Sequence, residues 1–142
     1  MAITPVYSIS ATASGGREGT VQTSDDGLSL SLAPPVEMGG SGKGNNPEQL
    51  FASGYAACYL GAMKFATTQD ATLAKVPDDA SVTASVGIGA REDVGFGLTV
   101  QLQVTFPGVD TAEVQRVADA GHTICPYSHA VKGNIDVTTT VV

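Results

Sequence analysis

Apolar and polar residues alternate through the first third of the chain, as they do in β-strands. The alternation covers residues 7–12 and, after a turn at residues 25–27, residues 28–32. A glycine-rich stretch then occupies residues 37–46. Its composition suits either a flexible linker or a lid, and the local sequence does not decide between them.

A long apolar segment after this loop predicts a helix from Pro47 to about Thr68. Asn46 suits the N-cap and Pro47 the first helical position, and Glu48 places a negative charge in the first turn. The segment is apolar nearly all round, which favours a buried position in a folded domain. It is short for a membrane span and rich in Ala, Gly and Ser.

The second half of the chain predicts a hairpin, two helices and a last strand. Residues 82–88 and 96–106 alternate on either side of a turn at 91–95, which is typical of an antiparallel hairpin. Asp110 and Glu113 resemble a capping box that opens a helix reaching about residue 122. A shorter helix starts at Cys125-Pro126 and ends before Gly133, and residues 135–141 alternate as a strand.

These elements and the composition predict one domain. The chain has 142 residues, of which 42% are hydrophobic and 15% charged, enough for a packed core. We expect a single α+β domain over residues 1–142, with helices packed on antiparallel sheet. A net charge of −7 with seven Lys and Arg argues against nucleic-acid and anionic-membrane partners. The N-terminus lacks a secretory pattern, so we expect a cytoplasmic protein.

The chain has only two cysteines, Cys58 in the apolar helix and Cys125 at the start of the short one. In a cytosolic protein such a pair is more often catalytic or metal-binding than a permanent cross-link. Spacing alone leaves an equally good interpretation, in which both are inert buried thiols.

A reactive Cys58 would need a cation, because burial in apolar surroundings raises the pKa of a thiol. Lys64 lies on the same helix, and Arg17 lies among glycines that permit close backbone approach. Glu48 could orient an arginine through a bidentate ion pair. The plainer interpretations are that Arg17 is an exposed turn residue and that Glu48 only complements the helix dipole.

Two other chemistries are conceivable for the cysteines. His122, Cys125 and His129 could ligate zinc with Cys58, but Pro126 interrupts the helix between them and the spacing matches no usual zinc motif. A Cys-His hydrolase finds less support still, because no nucleophile signature surrounds Cys58.

Three motifs together resemble one family. They are NPEQLFASGYAAC at residues 46–58, ATASGGREG at residues 11–19 and CPYS at residues 125–128. In that order they are similar to the central-helix, arginine and second-cysteine motifs of the organic hydroperoxide resistance proteins, within the OsmC-like superfamily. The resemblance covers essentially the whole chain.

The resemblance implies an OsmC-like fold, with antiparallel sheets around a long buried central helix, in an intertwined homodimer. It also implies a thiol-dependent peroxidase that reduces organic hydroperoxides. Cys58 would be the peroxidatic residue and Cys125 the resolving one, while Arg17 and Glu48 would position and activate the Cys58 thiolate. The implied reductant is a lipoylated protein or a small dithiol, and no metal or flavin cofactor is needed.

A preference for organic peroxides would need an apolar pocket. Aromatic and sulfur-containing side chains could line one, although some of them are expected to be ordinary core: Phe51, Tyr55, Tyr59, Met38, Phe96 and Tyr127.

Helix geometry adds a constraint on this proposed site. Glu48 and Cys58 are ten residues apart, which is about 15 Å along one helix. Either the helix begins after Glu48, or Glu48 serves Cys58 of a second copy, and we expect the second copy.

The alternative function is a non-catalytic redox-sensing or binding module of the same superfamily, which would not turn over peroxide.

Overall fold

A computed structural model describes residues 2–142. The chain divides into two compact units, of which unit 1 ends at Leu50 and unit 2 covers Phe51–Val142. Among the described residues no helix has both the length and the hydropathy that crossing a bilayer requires.

Unit 1 contains an antiparallel sheet of three short strands in the order β1-β2-β3: β1 (Ala11–Ser14), β2 (Thr20–Thr23) and β3 (Ser29–Ser31). The turn predicted at residues 25–27 is confirmed, and Asp26 adopts a φ of 60° there. The expectation that a strand begins at Tyr7 is wrong. Ala11 pairs with Thr23, the last residue of β2 before the turn, so the described residues 2–10 lie beyond the paired length of β2.

The glycine-rich loop leads directly into the long helix. It contains a short 3₁₀ turn (Val36–Met38), and Asn45 forms an isolated parallel bridge with Leu32. Helix α1 covers Pro47–Gln69, as predicted. The side chain of Asn46 accepts from Gln49 N at 2.9 Å, and the Gln49 side chain accepts from Asn46 N at 3.0 Å. This reciprocal capping explains why the helix begins where it does.

Unit 2 contains a second three-stranded sheet, in the order β4-β5-β6. The predicted hairpin is confirmed: β4 (Ser81–Ala90) and β5 (Phe96–Thr105) pair antiparallel along their whole length. The last strand, β6 (Thr138–Val141), pairs parallel to β5, so the sheet is mixed rather than purely antiparallel. Two helices lie between these strands in the chain, and they provide the crossover connection that parallel strands require.

The two connecting helices are α2 (Thr111–Ile124) and α3 (Pro126–Val131). The Asp110 side chain caps α2 by accepting from Ala112 N at 3.2 Å, as the sequence predicted. Strand β6 starts later than expected because the amides of residues 134 and 135 donate to Val131 O, at the end of α3, rather than to the sheet. The predicted α+β class is therefore confirmed.

One face of α1 forms the centre of the core of unit 2. Its buried positions recur every three or four residues and pack with β5 and α2: Tyr55, Tyr59, Ala62 and Met63. Another face stays open in the single chain, where Phe65 is 54% exposed. The helix is thus apolar all round in sequence but buried on one side only.

Candidate active site

The two cysteines lie together in unit 2. Cys58 is on α1 and Cys125 is in the junction between α2 and α3, and their Sγ atoms are 3.7 Å apart. Both are free thiols; Cys125 is fully buried and Cys58 is partly exposed. A disulfide needs a sulfur separation of about 2.05 Å. A small movement of the side chains would therefore bring the pair to bonding distance.

Main-chain groups of α3 hold both sulfurs. Cys125 is the N-cap of α3, and its Sγ accepts from Ser128 N at 3.5 Å. The amide of the preceding residue, Tyr127, hydrogen bonds to Cys58. The first amides of a helix have no acceptor inside the helix, so these two are free to bind sulfur.

The electrostatic surroundings of Cys58 within unit 2 do not favour its thiolate. Burial raises the pKa of the Cys58 thiol above its ordinary value, and Cys125 raises it further. The hydrogen bond from the Tyr127 amide lowers the pKa, and this influence is second in size to burial. None of these three influences is a positive charge, so a reactive thiolate requires a cation in addition.

Arg17 and Glu48 form the bidentate ion pair that the sequence suggested, within unit 1. The two guanidinium nitrogens donate to the two carboxylate oxygens at 2.9 and 2.7 Å. The hydrogen bonds from Arg17 hold the pKa of Glu48 below its usual range, and Glu48 raises the pKa of Arg17. The pair presents a guanidinium of fixed orientation, because both side chains are only partly exposed.

Glycines shape the turn that carries Arg17. Gly15 and Gly16 have φ values of 78° and 61°, in the left-handed region where other residues are strained. A Cβ on Gly19 would collide with the carbonyl oxygen of Ser14. The predicted close backbone approach around Arg17 is confirmed.

Helix α1 begins at Pro47, so both Glu48 and Cys58 are helical. The alternative in which the helix begins after Glu48 is therefore wrong.

An aromatic cluster in unit 2 surrounds the start of α3. The Tyr127 ring packs edge-on against Phe51, with ring centroids 6.3 Å apart, and in a tilted arrangement against Tyr55, with centroids 5.8 Å apart. Gly54 makes room for it, since a Cβ there would lie 2.8 Å from the Tyr127 hydroxyl oxygen. Residues 54 and 58 are one helical turn apart. Tyr127 therefore spans one turn of α1, with its main chain at Cys58 and its hydroxyl at Gly54.

The structure distributes the six expected pocket residues over different environments. Tyr55 and Tyr59 are fully buried and belong to the core, which was the plainer interpretation of them. Phe51 and Phe96 share the lining of a cavity of about 940 Å³ in unit 2. Met38 belongs to unit 1 and is 43% exposed.

The sequence interpretation missed a chain of hydrogen bonds beside Cys125. Tyr55 Oη and Ser128 Oγ are 2.8 Å apart, Ser128 Oγ and His122 Nδ1 are 2.8 Å apart, and His122 Nε2 and Thr139 Oγ1 are 2.7 Å apart. The available signal was a serine three residues after an N-cap cysteine and six residues after His122, which the sequence suggested as a zinc ligand. Within residues 2–142, no cluster of three or more His, Cys, Asp or Glu has the arrangement of a metal site.

Comparison with known proteins agrees with this fold. Residues 40–140 match the family described as OsmC-like protein. The organic hydroperoxide resistance protein of Xanthomonas axonopodis pv. citri (strain 306) is 51% identical over 137 residues, which are 96% of this chain and 94% of that protein. Organic hydroperoxide resistance protein OhrA of Bacillus subtilis (strain 168) is 41% identical, over 94% of each chain.

Solved structures show the same similarity. The crystal structure of an organic hydroperoxide resistance protein from Elizabethkingia anophelis superposes with a TM-score of 0.89 at 41% identity, covering 98% of both chains. That of OhrB from Bacillus subtilis gives a TM-score of 0.85 at 33% identity, covering 97% of this chain and 100% of the other. The chain belongs to the OsmC-like family. Within that family it belongs to the organic hydroperoxide resistance proteins.

Proposed function

We propose that this chain is a thiol-dependent peroxidase that reduces organic hydroperoxides, with Cys58 as the attacking residue and Cys125 as the resolving one. The observation that carries the proposal is the pair of free thiols 3.7 Å apart, one of them partly exposed and the other buried. The names of the relatives, organic hydroperoxide resistance proteins, support the substrate class.

The chemistry proceeds in two steps on the protein. The Cys58 thiolate attacks the distal peroxide oxygen, so that an S–O bond forms and the O–O bond breaks. The alkoxide leaves and takes up a proton to become an alcohol, and Cys58 becomes a sulfenic acid. Cys125 then attacks the Cys58 sulfur, which forms the disulfide and releases water.

An external dithiol restores the protein. One thiolate of the dithiol attacks the disulfide, and its second thiol completes the exchange, so the two electrons finally come from the dithiol. We propose a dihydrolipoyl group, free or on a lipoylated protein, as this reductant.

We propose further that the active unit is a homodimer. The thiolate of Cys58 needs a cation, and the Arg17–Glu48 pair offers a fixed guanidinium. Glu48 and Cys58 are both on α1, where their separation of ten residues amounts to about 15 Å of axial rise. A second copy can supply Arg17 and Glu48 to Cys58 without that constraint.

The experiment that tests the peroxidase compares wild type with Cys58→Ser and Cys125→Ser, using cumene hydroperoxide and dihydrolipoamide. Cys58→Ser should be inactive, because it lacks the nucleophile. Cys125→Ser should accept one oxidising equivalent and then lose turnover. Full activity in Cys58→Ser would refute the assignment, and a wild type that stops after one equivalent would instead indicate a redox sensor.

Mixed dimers test the shared site. Cys58→Ser and Arg17→Ala are each expected to be inactive alone. If Arg17 acts across the dimer, co-refolded mixtures should regain activity, because each mixed dimer then has one site with both residues intact. If Arg17 acts within its own chain, mixing restores nothing. A monomer by light scattering would also contradict the homodimer.

A further inference from the structure

The geometry points to His122 as a positioning residue for Cys125, acting through Ser128, in the disulfide-forming step of the function proposed above. The two ring nitrogens of His122 lie within hydrogen-bond distance of Ser128 and Thr139. Its role rests on how it holds Ser128, and it depends on the peroxidase proposal for its place in the cycle.

Ser128 connects the buried thiol to the hydrogen-bond chain. Its main-chain N–H donates to Cys125 Sγ at 3.5 Å. Its hydroxyl lies between Tyr55 Oη and His122 Nδ1, at 2.8 Å from each. Anchoring the hydroxyl on two sides restricts the whole residue, and with it the amide that faces the sulfur.

Besides Ser128, two further residues hold His122 in place. Its Nε2 lies 2.7 Å from Thr139 Oγ1 on β6. Its ring stacks on Tyr59, with centroids 4.4 Å apart and an interplanar angle of 30°. The Tyr59 hydroxyl in turn donates to Ala118 O at 2.7 Å. A histidine fixed in this way can define the position of its neighbour.

A neutral imidazole completes the chain in one direction. In the tautomer that we assign, with the proton on Nε2, Tyr55 donates to Ser128, Ser128 donates to Nδ1 and Nε2 donates to Thr139. Ser128 and His122 then each donate once and accept once. A protonated imidazole donates from both nitrogens, and Nδ1 can no longer accept from Ser128. Protonation therefore forces the Ser128 hydroxyl to turn.

The surroundings keep His122 neutral near pH 7. Burial lowers its pKa below the ordinary value of 6.5, and Asp119 on the same helix opposes this more weakly. From α1, Tyr55 and Tyr59 face it. A cavity of about 650 Å³ adjoins the ring and connects it with the remaining charged and titratable groups of α3 and the segment before β6: His129, Lys132 and Asp136. Protons from solvent can reach the ring through this cavity.

The step that depends on this arrangement is the attack of Cys125 on the Cys58 sulfenic acid. The S–S bond forms as the S–O bond breaks, and the departing hydroxyl takes the Cys125 proton and leaves as water. Cys125 is fully buried, so its sulfur cannot be realigned by solvent. The Ser128 amide orients the sulfur toward Cys58, and the state of His122 decides whether that amide is in place.

Single-turnover kinetics test this role. Reduced protein receives one equivalent of cumene hydroperoxide, and peroxide loss and disulfide formation are followed separately by quenching with an alkylating agent and mass spectrometry. His122→Leu and Ser128→Ala should slow disulfide formation about tenfold, the effect of losing one buried hydrogen bond. Peroxide loss should stay within about twofold, because the Cys58 step does not use Ser128.

His122→Asn is the matched variant, because its amide can accept from Ser128 but does not titrate. Wild type should lose disulfide-forming rate as the pH falls below 6.5, toward the lowered pKa of His122. His122→Asn should keep most of the neutral rate and lose this decline. An unchanged rate in Ser128→Ala, or the same acid decline in His122→Asn, would overturn the proposal.

A second experiment distinguishes failure of the positioning role from failure of the peroxidase proposal. If wild type consumes no peroxide, the proposed function fails, and the same variants are then oxidised with diamide. Diamide forms a disulfide from two thiols without peroxide, and the attack of the second thiol should still slow in Ser128→Ala. Equal diamide rates in wild type and Ser128→Ala would refute the positioning role by itself.

Discussion

Gly121 of α2 lies where this helix crosses α1. Replacing Gly121 with alanine tests the packing that fixes the position of Cys125 relative to α1. A Cβ at Gly121 would lie 2.5 Å from Met63 Cγ and 3.1 Å from Tyr59 Cε1. Both neighbours are fully buried. Carbon atoms pack at about 3.5–4.0 Å, so the Met63 side chain or the two helices must shift by about 1 Å at this point.

Two opposing effects determine the change in stability. Alanine in a helix interior is favoured over glycine by about 0.5–1 kcal/mol. Overpacking a buried contact costs about 1–3 kcal/mol. We expect Gly121→Ala to lower the free energy of unfolding by about 1–2 kcal/mol, because the packing loss exceeds the gain in propensity.

The same substitution should affect the thiols. Cys125 N donates to Gly121 O at 2.8 Å, so a displacement of α2 moves Cys125 with it. The sulfur separation of 3.7 Å should widen, and disulfide formation after one equivalent of oxidant should slow.

Urea unfolding of a double-mutant cycle measures the packing effect. Met63→Ala removes the Cγ atom that meets the new Cβ, and by itself it should cost about 2–5 kcal/mol. On that background, Gly121→Ala should be neutral or stabilising, so the two changes should be strongly coupled. If Gly121→Ala alone raises the urea midpoint, helix propensity dominates and the inferred close contact is wrong.

Two further predictions concern unit 1. Arg17→Lys replaces a bidentate fork with a point charge, so the pKa of Glu48 should rise toward its ordinary value of 4.5 in an NMR titration; an unchanged Glu48 pKa would contradict this. In the wild type, the small stabilisation from the Arg17–Glu48 pair should be complete above pH 4.5. It should be lost as the pH falls through the lowered pKa of Glu48. Asn46→Ala should destabilise by about 1 kcal/mol through loss of the N-cap, whereas Asn46→Asp should retain most of it; equal losses in both variants would argue against capping.

Local patterns predicted the elements whose causes are local. The start of α1 follows from Asn46 and Pro47, and the β4–β5 hairpin follows from alternation on both sides of a short turn. The Arg17–Glu48 pair could be suggested from the sequence, because the glycines around Arg17 and the helix start at Glu48 are both recognisable local patterns.

Local patterns could not predict which strands and side chains pair when they are distant in the sequence. Residues 7–10 alternate like a strand, yet β2 ends opposite Ala11 and provides no neighbour for them. The hydrogen bond between Tyr55 and Ser128 joins residues 73 positions apart. Alternation and spacing describe one element at a time, so they could not bring His122 to Ser128 and Thr139.

The parallel pairing of β6 with β5 also bears on the order in which the molecule assembles. A parallel neighbour requires a long crossover, and here the crossover contains α2, α3 and Cys125 between them. Such nonlocal pairing forms late, because a large loop must close before its contacts can stabilise it. We therefore expect the two thiols of a refolding chain to react independently until β6 has joined the sheet, and to behave as a pair only afterwards.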